Sequence, residues 1–194
     1  MSHSPALEFS HLLSYPDGEV AARAAIAADS AMRASHPAQE GMESFAIFAA
    51  GATRQELEEA YTRAFDLNPA ATLEVGWHLF GETYKRGQFL AYLKRELESR
   101  GIDAGTRLPD DLTLLLKLYD ALPQEDAAGL VVDCLLPAVD KILPAIGDSP
   151  YMPLMKALQS WLAQHLGDEA PPRRTITLPI LSELPPEAGE SHHA

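Results

Sequence analysis

Apolar residues recur at three- and four-residue intervals along most of this chain, and no stretch before Gly167 alternates as a half-buried strand would. Phe9, Leu12 and Leu13 share a face of a short first helix. Tyr15-Pro16 stops it, because a proline ring disfavours helical backbone in the residue before it. Asp17 is placed to cap a second, alanine-rich helix running to about Ala34, alanine having the best intrinsic helix propensity. A turn at His36-Pro37 leads to a third helix, marked by Met42, Phe45, Ala46 and Ala49 and closed at Gly51. Thr53-Arg54-Gln55-Glu56 is a capping box, and Leu57, Ala60, Tyr61, Ala64 and Phe65 then follow the spacing of a buried helical face. Asn68-Pro69 ends that helix, and a loop or short helix carries Trp77, His78, Leu79 and Phe80.

A further amphipathic helix follows Gly87, with Phe89, Leu93 and Leu97 inside and Gly101 past its end. Pro109-Asp110-Asp111 opens the next, where acidic side chains suit the exposed amides of a helix start. Its stripe of Leu112, Leu115, Leu116, Tyr119 and Leu122, widened by Leu114 and Leu118, marks a core helix. Beyond Pro123, Val132, Leu135, Leu136, Val139 and Leu143 form a stripe that Pro137 kinks or divides. Ser149-Pro150 reads as a cap and first-turn proline of a last helix with Leu154, Met155, Leu158, Trp161 and Leu162. The pattern predicts a single-domain, all-α helical bundle over 1–166. Five of the fifteen prolines fall in 167–194, where the helical period disappears. That Pro-rich C-terminal tail is expected to be extended or disordered, with Thr175 to Leu181 lying over the bundle or docking on another chain.

Charge narrows the function. With 15 basic and 28 acidic residues the net is -13, and no basic stripe is available to neutralise a phosphate backbone, so nucleic acid is not the expected partner. No apolar run approaches the roughly 18 residues of a spanning helix, and Met1 to Ser10 lacks the layout of a secretory signal. The expectation is a cytoplasmic chain without membrane insertion. The one cysteine, Cys134, sits mid-stripe and reads as a buried, inert thiol rather than a nucleophile. Phosphate-loop, H-E-x-x-H and G-x-S-x-G motifs are absent, so neither catalysis nor a bound cofactor or metal is expected. His192-His193 reads as incidental. Asp110-Asp111 reads first as helix capping, then as a contact for a partner's cation, and last as metal ligation together with His78.

Tyr61, Phe65, Trp77, Phe80 and Tyr84 concentrate aromatic area in one short stretch. They either close one end of the bundle or form a groove for an apolar or helical peptide.

The stretch Leu57-Glu58-Glu59-Ala60-Tyr61-Thr62-Arg63-Ala64-Phe65-Asp66-Leu67 is followed by Trp77-His78-Leu79-Phe80-Gly81-Glu82 and by Lys85-Arg86-Gly87-Gln88. With Leu12-Leu13-Ser14-Tyr15-Pro16 before them and Leu108-Pro109-Asp110-Asp111-Leu112 after, these resemble, in order and spacing, the NarJ-type chaperones. Those form the nitrate reductase delta-subunit family, within the TorD/DmsD group of molybdoenzyme assembly factors. The resemblance covers roughly residues 7 to 165. It implies an all-helical chaperone, not an enzyme, that binds the N-terminal basic or amphipathic segment of the catalytic subunit of a DMSO-reductase-family molybdoenzyme. The chaperone holds that segment for molybdenum cofactor insertion before membrane docking or export, in the manner of signal peptide binding in anaerobic respiration. By position, Tyr61, Phe65 and Asp66 match the family's helix end, Trp77, Leu79 and Phe80 its apolar segment, and Arg86 the next helix start. Asp110 matches its Pro-Asp-His element, whose histidine is here Asp111. Two other readings stand beside this one: a helical adaptor for a different complex, and a metal-dependent helical hydrolase using His78, Asp110 and Asp111.

Overall fold

A computed structural model describes residues 4–33 and 38–164. The expected turn at His36-Pro37, the domain boundary at 166–167, the tail with its segment 175–181, and His192-His193 lie outside the described residues. Among those described, the chain is all-α. It runs through α1 (Pro5–Leu12), α2 (Val20–Arg33), α3 (Gln39–Gly51), α4 (Arg54–Tyr61), α5 (Val75–Phe80), α6 (Tyr84–Ser99), α7 (Leu112–Ala121), α8 (Gln124–Leu130), α9 (Leu136–Ile146) and α10 (Met152–Gln164). Wider, π-type turns, Thr62–Asp66 and Val131–Leu135, extend α4 and join α8 to α9. No described helix is long and apolar enough to cross a membrane.

The core helix is α7, whose Leu112, Leu114, Leu115 and Leu116 are all buried. Against it lies α1, and the buried Ser10 hydroxyl donates to the Thr113 carbonyl at 2.8 Å, which spares a polar group an unpaired burial. Elsewhere α2 packs on α3, and α10 lies across α3 and α9. Close approach there is set by a small residue, since a Cβ on Gly41 would fall 2.2 Å from the Pro153 carbonyl oxygen. The capping box at Thr53 forms as the sequence requires: Glu56 N–H donates to Thr53 Oγ1, and Thr53 N–H donates to the Glu56 carboxylate at 2.7 Å.

The boundaries of α6 and α10 differ from the sequence reading. Helix α6 begins at Tyr84 rather than after Gly87, so Arg86 lies in its first turn. Thr83 is the extended residue before it, and its carbonyl accepts from Arg86 N–H at 3.1 Å. Helix α10 begins at Met152, not Pro150. Ser149 Oγ accepts from Tyr151 N–H at 3.2 Å, and this turn drives the Tyr151 ring into the core. At Pro137 the division takes the form of the widened turn 131–135. The ring removes one helical N–H donor, and the π-type turn ends two residues before it, at Leu135.

Cys134 is fully buried, and burial pushes its thiol up to about 12, with Asp133 adding to the shift. Such a thiol is protonated at neutral pH and shielded from reagents. Ellman's reagent is expected to leave the native protein unmodified over minutes and to titrate the thiol fully in 6 M guanidinium. Rapid reaction of the folded chain would refute the burial.

Candidate functional site

Two short backbone segments far apart in sequence build one wall of a cleft. Val75 N–H donates to the Asp110 carbonyl and Leu112 N–H to the Leu73 carbonyl, each at 2.8 Å, so Glu74 and Asp111 face each other in a single antiparallel bridge. This clamps the start of α5 to the start of α7. It also sets the Asp110 carboxylate, fully buried, beneath Arg86.

Asp110 Oδ2 accepts from Gly76 N–H at 3.1 Å and from Arg86 Nε and Nη2, both at 3.3 Å. Arg86 Nη2 also donates to Glu74 Oε2 at 2.6 Å, and the guanidinium carbon lies 5.6 Å from the centroid of the Trp77 ring. Arg86 therefore spends its charge inside the chain. Burial raises the Asp110 carboxyl above the usual carboxylate range; Arg86 opposes that shift and Glu74 reinforces it. Asp110 Oδ1 is buried with no hydrogen-bond partner among the described residues. Gly76 has no room for a side chain, because a Cβ would lie 2.6 Å from Asp110 Oδ2 and 3.0 Å from the Phe89 ring.

In front of this wall opens a cleft of about 510 Å³. Tyr61, Phe65, Leu73 and Trp77 supply its aromatic and apolar surface, with Pro69 and Thr72 at the side. Asp66, Glu74, Glu82 and Asp111 supply carboxylates, and among the described residues the only cation in the lining is the already paired Arg86. The lining is thus negative. Tyr61 is buried, and desolvation, with Asp111 and Asp66 next, raises its phenol well above the ordinary range, so it stays neutral. Behind it Tyr61 meets Tyr15, Phe65 and Tyr151 at centroid distances of 5.3, 5.2 and 5.8 Å, mostly edge to face. The π-type turn lets Phe65 stack inward while Asp66 remains exposed at the mouth. Partial burial raises the Asp66 carboxyl, and a hydrogen bond from Thr62 partly offsets this.

Of the residues singled out from sequence, Tyr61, Phe65, Asp66, Trp77, Arg86 and Asp111 meet in this cleft. Asp110 lies behind its wall, holding Arg86. Leu79 and Phe80 are placed elsewhere: Phe80 packs edge-on against Phe89 at 5.3 Å, and Leu79 lies against the core. Tyr84 points to solvent, 78% exposed. Asp111 is the N-cap of α7 and accepts from Thr113 N–H at 2.8 Å. His78 is buried, its Nε2–H donates to the Thr72 carbonyl at 2.7 Å, and desolvation lowers its pKa. The trio His78, Asp110 and Asp111 is thus committed to three separate contacts, and no group of three potential metal ligands gathers among the described residues.

Sequence reading missed Glu74, Glu82 and Leu73 as lining residues, and Gly76 as the residue that admits Asp110. A glycine isolated between Val75 and Trp77 was the available signal, since it marks close backbone approach. Glu74 carried none.

Fold and cleft together define an all-α protein with an open, aromatic-floored, acid-rimmed cleft. It belongs to the nitrate reductase delta subunit family, whose model matches residues 32–166. Over 122 residues it is 30% identical to the nitrate reductase molybdenum cofactor assembly chaperone NarJ of Escherichia coli K12, an alignment covering 61% of this chain and 52% of that protein. The same protein of Escherichia coli O157:H7 aligns with the same identity and coverage. The chain spans about half the length of these curated relatives.

Proposed function

We propose that this protein is a cytoplasmic, non-catalytic assembly chaperone for a molybdoenzyme, and that its cleft receives the N-terminal basic or amphipathic segment of the catalytic subunit before cofactor insertion and membrane docking or export. The reading rests on one observation above the rest: six of the residues at the family's motif positions, scattered from Tyr61 to Asp111, converge on one negative, aromatic cleft. Family membership supplies the client class, and the chemistry of the cleft supplies the kind of segment. The molybdenum cofactor belongs to the client, and no resident cofactor is required here.

Aromatic burial dominates the proposed affinity. Covering an aromatic side chain contributes on the order of 2 kcal/mol, whereas an exposed charge pair contributes about 0–1 kcal/mol and is screened by salt. Trp77→Ala is therefore expected to weaken binding of the client's N-terminal peptide by about thirtyfold or more. Asp111→Asn, which keeps a good helix cap, should weaken it only about threefold. Calorimetric titration of both variants tests the ordering, and a larger loss from Asp111→Asn would reverse it. Copurification from the anaerobically grown host, read by mass spectrometry, names the client. Recovery of folded partners without any molybdopterin oxidoreductase subunit would favour the adaptor reading.

A further inference from the structure

We propose that the chain's own segment Pro172–Leu181 occupies the acid-rimmed cleft as a built-in competitor of the client peptide; this rests on the reading of the cleft as a peptide site. Three observations support it. First, Arg173 and Arg174 are the only Lys or Arg residues after Lys156, and they stand together directly before an apolar run. Second, Ile176, Leu178 and Ile180 occupy alternate positions in that run, the pattern of an extended peptide with one apolar face. A basic pair leading into an apolar face is the complement of a cleft that sets Asp66, Glu82 and Asp111 around Tyr61, Phe65 and Trp77.

Third, the chain is long enough. From Gln164 at the end of α10, nine residues lead to Arg173, a reach of about 30 Å when extended. The end of α10 lies near enough to the cleft for that reach: Tyr119 stands eight residues, about 12 Å, along α7 from Asp111 of the cleft, and its ring is 5.2 Å from that of Trp161, three residues before Gln164. Tethering holds such a segment at an effective concentration on the order of 1 mM. An intrinsic affinity of about 100 μM then keeps the cleft about nine-tenths covered and weakens an incoming peptide about tenfold, while a client with higher affinity still displaces it.

The test uses the full chain. A fluorescein-labelled peptide spanning Pro172–Ser182 is titrated by polarisation against the unaltered protein and against the R173E/R174E variant, whose own segment is repelled by the acids. The expected result is about tenfold tighter binding to the variant, lost again when Trp77→Ala is added. Equal binding to both chains, or binding that ignores Trp77→Ala, would overturn the proposal. A photocrosslinking residue in place of Leu178 gives an independent readout. Crosslinks within one chain to α4 or α5 support the proposal, whereas crosslinks to other faces, or only between two chains, refute it. A client N-terminal peptide that binds both chains equally removes the competitor and leaves the chaperone reading standing. A tail peptide that binds where the client peptide does not removes the client and leaves the competitor.

Discussion

Arg86→Ala is expected to lower the unfolding free energy by about 3–5 kcal/mol at neutral pH, the range for removing one partner of a buried ion pair. Asp110 is fully buried, its Oδ1 already lacks a partner among the described residues, and its Oδ2 depends on Arg86 for all but the Gly76 amide. Without the guanidinium an uncompensated carboxylate remains inside, with Glu74 nearby opposing its charge. The pH dependence follows in sign. Burial already raises the folded-state pKa of Asp110 above its ordinary value of about 4, and losing Arg86 raises it further. A raised carboxyl contributes stability that is fully present below the unfolded-state pKa and is lost as pH rises through the folded-state value. The deficit of Arg86→Ala should therefore be smaller at pH 5 than at pH 8 in urea unfolding. Adding Asp110→Asn should recover most of it at pH 8. A loss under 1 kcal/mol, equal at both pH values, would mean the pair behaves as a surface contact.

Gly76→Ala is the second large effect, and local propensity argues for the opposite sign. The position lies inside α5, where alanine is favoured over glycine by about 1 kcal/mol. Space decides against it. The new Cβ would sit 2.6 Å from an Asp110 oxygen that Arg86 holds in place and 3.0 Å from the buried Phe89 ring. Overpacking of that kind costs about 1–3 kcal/mol, and displacing Asp110 from Arg86 adds to it, so a net loss of about 2 kcal/mol is expected. Gly87→Ala is the control: it lies inside α6 with nothing within 4 Å of its Cβ, and should stabilise by up to about 1 kcal/mol. Equal, positive shifts in both variants would show that the Asp110–Arg86 pair yields freely to a methyl group.

The two substitutions bear on the proposed peptide binding through the same contacts. Trp77 forms part of the cleft surface, and its ring lies beside the guanidinium that Asp110 and Glu74 hold. Disturbing the pair should therefore misplace Trp77, and weaker peptide binding is expected in the folded fraction of either variant.

Much of the fold was legible because helices report themselves locally. The capping box at Thr53, the leucine face of α7 and the apolar face of Leu57, Tyr61, Ala64 and Phe65 depend on neighbours within a few residues. Misplaced boundaries have the same explanation in reverse. Gly87 and Pro150 are reasonable local punctuation, but α6 starts earlier because Arg86 has a partner in Asp110. Likewise α10 starts later, where Tyr151 finds room among Phe45, Tyr61 and Phe65.

The aromatic stretch shows where local reading ended. Spacing grouped Tyr61, Phe65, Trp77, Phe80 and Tyr84, but the tertiary structure distributed them. Phe80 went to the Phe89 ring, Tyr84 to solvent, and the remaining three to the cleft. By itself the sequence determined an all-helical chain, the order of its helices, its acidity and the family motifs, since each is carried by residue identity or by periods of a few residues. Only the tertiary structure decided that Asp110 turns inward to Arg86 while Asp111 lines the cleft, and that Glu74 and Glu82 join its acids. Those outcomes depend on an antiparallel bridge between Glu74 and Asp111, and a pairing across that much chain leaves no periodic trace in either segment.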